Sequence, residues 1–238
     1  MTCLPGMGGF FAGNSSLSGF AFVDGGGNSD KSSITVPANV QEGDLILFAN
    51  MAIKTSIVAS TVPSGFTKIF PSTSVALPVN ISGTTYYFHV AMGYKIAAGT
   101  EGGTSLSSMS FTSNVNPGSA LAVMVFRGSK KITGVTVQDN GGTNASSGLI
   151  SRTITSASGT RPLLAVANYM NLGASWSSNS QRDFSPAPDD ETIYGVNNMA
   201  VRWKFFGEGN APSDIACSMA SASQNRTCWS FYLELATE

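Results

Sequence analysis

The chain has 238 residues, enough for one large domain or two small ones, and its aliphatic and aromatic residues suffice for a core. Only 11% of residues are Asp, Glu, Lys or Arg, and the formal net charge is -1 at pH 7. That balance removes the electrostatic case for nucleic acid, which needs a basic patch.

Gly, Ser, Thr and Asn fill the polar positions, a mixture that favours extended strands and tight turns over exposed helices. No continuous apolar run reaches about 18 residues, so the sequence predicts no membrane span. The N-terminus, M-T-C-L-P-G-M-G-G-F-F-A-G, lacks a basic region before a clean apolar stretch and predicts no signal peptide. The Asn-x-Ser/Thr matches at Asn14, Asn80, Asn144 and Asn225 then carry no glycosylation message. Cys3, Cys217 and Cys228 are an odd set, so they make no complete disulfide framework. Cys217 and Cys228 can face each other across a hairpin, but buried free thiols are the preferred reading for a chain that folds in a reducing cytoplasm. A single histidine and no C-x-x-C argue against zinc.

Residues 1–30 form a Gly- and Ser-rich arm carrying Phe10, Phe11, Phe20 and Phe22. Such an arm is flexible alone, but four phenylalanines expose too much apolar area for a free tail. They predict docking, on the chain's own sandwich or on a neighbouring subunit. A first strand at Gly19–Val23, packed on the core, is the other reading. Gly25-Gly26-Gly27 closes the arm and is no phosphate loop, since the G-x-G-x-x-G spacing and a following helix are missing.

Ser33–Val36 reads as a short strand closed by Pro37. The rest is organised around Val40–Ile53, V-Q-E-G-D-L-I-L-F-A-N-M-A-I. Its turn, Glu42-Gly43-Asp44, runs into the unbroken apolar stretch Leu45–Ala49, which predicts a strand buried on both faces. Thr61–Phe70 is a Pro-Ser-Gly turn and a short strand, and Ser72–Thr84 reads as a long surface loop. Thr85–Ala98 is an aromatic, β-branched strand, Ser105–Thr112 alternates Ser with Leu106, Met109 and Phe111, and Ala120–Phe126 is a second apolar strand stopped by Arg127-Gly128. Arg127, Lys130 and Lys131 form a short basic cluster, read as a solvated turn. Further strands are predicted near 132–138 and 149–155.

The order then repeats. Residues 163–170, L-L-A-V-A-N-Y-M, echo 45–52, L-I-L-F-A-N-M-A, with Ala49-Asn50 and Ala167-Asn168 at an offset of 118. Met199–Phe206 matches the segment around Tyr94-Lys95-Ile96 at an offset of 109, and Cys228–Leu235 matches Leu121–Gly128 at 107. Ile215–Ala220 matches the Ser/Met strand. Strands with turn signals between them predict an all-β, antiparallel sandwich. The preferred form is one jelly-roll-like β-sandwich over 31–238, built from two similar halves (about 33–128 and 149–236) and preceded by the arm. Two small tandem sandwiches are the alternative. The single domain is favoured because each half has only two apolar runs and no linker separates them.

Few residues point to chemistry. His89 is a candidate base or pH switch, but it sits mid-strand with no partner marked, and a packed or edge histidine is the plain reading. Asp189-Asp190-Glu191, with Asp183 nearby, is a candidate calcium loop. It lacks D-x-D-x-D-G spacing, and a solvated acidic loop is the plain reading. Glu101 and Glu208 adjoin glycine-rich turns, and turn chemistry explains them. Of Trp176, Trp203 and Trp229, only Trp176 reads as a loop residue, either a candidate exposed contact to glycan or protein or a loop lid over the core. Trp203 and Trp229 read as core. No catalytic constellation, metal site or cofactor is predicted.

The segments E-G-D-L-I-L-F (42–48), P-S-G-F-T-K-I (63–69), Y-K-I-A-A-G (94–99), A-V-M-V-F-R-G (122–128) and R-P-L-L-A-V-A (161–167) resemble a β-sandwich module of tailed-phage particle proteins. That family covers head-decoration or cement proteins, minor tail proteins and fibres, and the resemblance spans roughly residues 33–236. It departs at Phe66, where the family usually carries Trp, and it brings no catalytic residues. It implies a non-enzymatic protein on the exterior of a virion, assembled in host cytoplasm and partnered by its own copies (a homotrimer or other homo-oligomer) and other virion proteins. A tail- or fibre-associated protein and a module binding host surface glycan are the alternatives, and a glycosidase is a third.

Overall fold

The computed structural model describes residues 19–29, 33–57, 59, 61–70, 77–81, 83–107, 119–145, 148–155, 163–171, 181–185, 190–194, 199–206, 214–221 and 226–238. Among them every regular element is a strand and every strand pairing is antiparallel. The strands are β1 (Phe20–Ser29), β2 (Ser33–Thr35), β3 (Glu42–Lys54), β4 (Thr67–Phe70), β5 (Leu77–Ile81), β6 (Thr84–Ala98), β7 (Ser105–Ser107) and β8 (Ser119–Gly128). There follow β9 (Ile132–Ala145), β10 (Gly148–Thr155), β11 (Leu163–Asn171), β12 (Gln181–Ser185), β13 (Asp190–Tyr194), β14 (Met199–Phe206), β15 (Asp214–Ser221) and β16 (Arg226–Thr237).

One large sheet runs β1-β8-β3-β6-β4, with β5 also on β6, and a second runs β13-β14-β11-β16-β9. Two smaller sheets, β2-β7 and β10-β15-β12, complete the set. Period-two alternation sets what each face of β3 meets. Leu45, Leu47 and Ala49 join the core shared by the two large sheets, while Ile46 and Phe48 face the opposite way, onto Ile34 and Leu106 of the β2-β7 sheet. Strand β8 divides likewise, with Ala122, Met124 and Phe126 on one side and Leu121, Val123 and Val125 on the other. Both strands are therefore covered on both faces, which is why their sequences are continuous apolar runs.

The shared core is aromatic at one end. Trp203 is 1% exposed and packs edge-on to Phe126 at 5.4 Å between ring centroids. Phe22 stacks on Trp203 at 4.8 Å, and Phe20 stacks on Phe205 at 5.3 Å. Aromatic pairs of this kind contribute about 0.5–1.5 kcal/mol beyond their area burial. They fix strands of one large sheet against the other.

Two segments differ from the sequence reading. β1 does not stop at Gly25-Gly26-Gly27. It continues through them to Ser29, pairing Gly25, Gly26 and Gly27 with Met124, Val123 and Ala122. A sheet edge pairs through its backbone, so residues without side chains can serve there. The loop expected over 72–84 contains β5, which pairs Leu77 with Phe88 and Ile81 with Thr84 around Gly83 at φ 81°. Pro78 lies in this edge strand, a place where a missing N–H is tolerated.

Candidate functional site: the ion-paired end of the central sheet

The most developed polar arrangement lies where β3 begins and β8 ends. Antiparallel pairing sets Leu45 opposite Phe126, so the charge that precedes one apolar run meets the charge that follows the other. Asp44 is 1% exposed. Its Oδ1 accepts from Arg127 Nε at 2.8 Å, and its Oδ2 accepts from Arg127 Nη2 at 2.8 Å and from the Gln41 N–H at 2.7 Å. Arg127 Nη2 also donates to the Asn39 carbonyl at 2.9 Å. This two-pronged geometry is the strong form of a charge-assisted bond, and the bond to Asp44 raises the guanidinium pKa. Gly43 makes the entry possible. Its φ is 84°, and a Cβ there would lie 2.6 Å from Lys131 Cβ. Lys131 in turn donates to Glu42 Oε1 at 2.8 Å on the exposed rim.

A second carboxylate closes the turn after β6. Glu101 is 7% exposed, and its Oε1 accepts from Lys95 Nζ at 2.8 Å and from the Ala98 N–H at 3.1 Å. Oε2 accepts from the Thr100 N–H at 3.0 Å. The Glu101 backbone carbonyl takes the Thr104 N–H at 3.0 Å and hydroxyl at 2.6 Å. Burial pushes this carboxyl up, but the Lys95 ammonium and the backbone N–H groups outweigh it and hold the pKa at about 2. Glu101 is therefore ionised throughout the neutral range and clamps a turn, as its glycine-rich setting suggested. Both oxygens of each of these carboxylates, Asp44 and Glu101, accept from donors of the chain itself.

The remaining candidates are dispersed. His89 is fully buried on β6, with Nε2 at 3.1 Å from the Ser56 carbonyl. On the same face of the sheet, Asn50 is fully buried with no bond to its Oδ1 or Nδ2. Phe20 and Phe22 stand in β1 against the chain's own core, whereas Phe10, Phe11 and Trp176 lie outside the described residues. Trp203 is core, and Trp229 stands in β16. Asp189 and Glu208 lie outside the described residues, Asp183 stands in β12, and Asp190 and Glu191 open β13, opposite Trp203 and Arg202. The hairpin suggested for the cysteines is not formed. Cys217 is in β15, paired with β10 and β12, and Cys228 is in β16, paired with β11 and β9. Among the described residues, no three His, Cys, Asp or Glu side chains gather as a metal set.

Sequence reasoning passed over Asp44 and Arg127. In the sequence the first is a turn residue and the second belongs to a short basic cluster that predicts a solvated turn. The available signal is positional: one charge abuts each of the apolar runs Leu45–Ala49 and Ala120–Phe126, at ends that antiparallel pairing brings together. A shallow groove of about 500 Å³ lies beside this end, between Gly19–Val23 of the first strand and Arg127–Ser129. No protein-family model, curated protein or solved structure matches the chain.

Proposed function

We propose that the protein is a non-enzymatic structural component of a phage particle exterior, decorating or cementing the capsid through its N-terminal arm and sandwich surfaces. In this reading it is built from two similar halves, assembles with its own copies and belongs to the virion. The observation that carries it is the use made of charge. The buried carboxylates Asp44 and Glu101 are bound at both oxygens and serve to close turns, so polar chemistry goes into holding a rigid scaffold. The resembling segments add support. E-G-D-L-I-L-F, Y-K-I-A-A-G and A-V-M-V-F-R-G lie side by side in one sheet, with Leu45 between Ile96 and Phe126. Every strand of one large sheet precedes Ser129 and every strand of the other follows Lys131, so we take the half, rather than a jelly-roll winding, as the unit of construction.

The groove beside β1 is lined by Gly19, the first described residue, which suits an arm that reaches from there and carries Phe10 and Phe11 to a neighbour. The test is native mass by light scattering for the full chain and for a chain beginning at Gly19. The cut stops at residue 18 because Phe20 is buried and β1 forms a sheet edge. A closed oligomer, weakened by the cut while the melting temperature holds, is the expected result. A monomer in both cases overturns the proposal and directs the next experiment to a glycan array.

A further inference from the structure

Five strands of the first large sheet, all but β5, follow the same order as the five of the second. The first runs β1-β8-β3-β6-β4, and the second, read from its far edge, runs β9-β16-β11-β14-β13. The small sheets follow, with β2 on β7 and β10 on β15. Register agrees as well as order. Leu45 lies between Ile96 and Phe126, and Leu164 lies between Phe205 and Leu233. Thr67 pairs with Tyr94, and Asp190 pairs with Trp203. Both outer strands are bulged, β1 between Phe22 and Asp24 and β9 between Gln138 and Asn140. Beyond each bulge a glycine pair follows. Gly26 and Gly27 oppose Val123 and Ala122, and Gly141 and Gly142 oppose Ser230 and Trp229.

The contact between the sheets is reciprocal. By register, Phe22 corresponds to Val137, because they oppose Phe126 and Leu233. Likewise Phe20 corresponds to Val135, Tyr94 to Trp203, and Ile96 to Phe205. Phe20 and Phe22 of β1 stack on Phe205 and Trp203 of β14. The equivalent strands also meet on the other side, one pair displaced: Tyr94 of β6, the counterpart of Trp203, donates its hydroxyl proton to the carbonyl of Val135 of β9, the counterpart of Phe20, at 3.3 Å. The same face is used on both sides, since Leu45 and Leu47 join the shared core as Leu164 and Val166 do. Matching faces on which equivalent strands meet, β1 with β14 and β9 with β6, are the arrangement of an isologous, twofold interface.

We infer that the chain is one strand pattern used twice, over residues 20–128 and 132–237, and that its core is a dimer interface enclosed in a single chain about an internal twofold. The inner face of each half thus fits one kind of partner, a copy of that same half. The inference rests on the two-halves part of the reading above and is independent of the particle role, which light scattering tests separately. It also moves the unit boundaries. The first unit begins with β1 rather than at 33, the second begins with β9 rather than at 149, and Ser129–Lys131 is the whole connection.

An exchange experiment on the full chain tests the axis. Phe22→Val with Trp203→Tyr degrades one contact, and Val137→Phe with Tyr94→Trp overfills its counterpart. Each pair lowers the melting temperature by several degrees. All four changes together move the contacts across the axis, and the loss is then expected to be smaller than the sum of the two pairs. A loss equal to or larger than that sum overturns the inference. Should a pair fail to fold, crosslinking decides. In a chain with Cys3, Cys217 and Cys228 replaced by Ser, Phe22→Cys/Trp203→Cys and Tyr94→Cys/Val137→Cys are treated with a thiol crosslinker of about 10 Å reach, the separation of packed sheets. Intramolecular linkage in both, read by mass spectrometry, supports the twofold, and linkage in the first alone refutes it.

Discussion

Arg127→Met isolates the ion pair at the head of β3. The substitution keeps much of the side-chain length but removes two of the three donors to Asp44, leaving the Gln41 N–H. Asp44 side chain is 2% exposed and Arg127 is 32% exposed. The pair is therefore asymmetric. Removing the arginine strands a buried carboxylate, which costs about 3–5 kcal/mol. Asp44→Asn instead leaves a guanidinium that water still reaches, and costs about 1–3 kcal/mol. For a chain of this size each kcal/mol moves the melting temperature about 2–4 °C. Arg127→Met is thus expected to lower it by roughly 6–20 °C, and Asp44→Asn by clearly less. Differential scanning calorimetry, with urea unfolding to confirm an unchanged m-value, measures both. The double variant gives the coupling, on the order of 0.5–3 kcal/mol for residues in contact. If Arg127→Met moves the midpoint by less than about 2 °C, or if Asp44→Asn proves the costlier change, the buried-anion argument is wrong.

Two further predictions concern single buried groups. Glu101 has its folded pKa lowered from 4.5 to about 2, so its contribution is fully present above pH 4.5 and is lost as the pH falls toward 2. That contribution is at most on the order of 3 kcal/mol. Glu101→Gln should lower stability at pH 7 and flatten the acid limb in that window, and an unchanged acid limb in urea titrations would count against the clamp. Asn50→Leu replaces a buried amide with no bonded partner by an apolar group of similar volume. It should raise the melting temperature by a few degrees, since an unmade buried bond costs about 1–3 kcal/mol. A fall would show that the amide is bonded after all.

The strands were legible because their code is local. The apolar runs Leu45–Ala49 and Ala120–Phe126 announced two doubly covered strands, and the aromatic stretch ending at Ala98 announced a third. Gly-Gly-Gly and the Pro-rich segment misled because turn-forming residues also occur in edge strands, where only backbone pairing is required. The site was less legible for a different reason. Asp44 and Arg127 are separated by 83 positions in the chain, and nothing local to either distinguishes a solvated charge from a paired one. Only the pairing of β3 with β8 decides that, and pairing is a property of the whole sheet.

The proposed repeat shows the same limit at finer grain. The Ala-Asn echo sets residues 45–52 against 163–170 at an offset of 118. The ladders instead place Leu45 with Leu164, an offset of 119, because their neighbours Ile96 and Phe205, and Phe126 and Leu233, already correspond at 109 and 107. One residue is the largest error a strand can carry, since it turns every side chain to the opposite face. At 118 the partner of Leu45 would be Leu163, the neighbour of the residue that joins the shared core. At 119 it is Leu164, which does join it. On the proposed correspondence the identical Ala-Asn pair is a coincidence of composition, and Tyr169 takes the register position of Asn50 in the second sheet. Residue identity finds which strands correspond. The face each strand must bury determines how they correspond, and where the two disagree in a sandwich, burial is the constraint that acts on the fold.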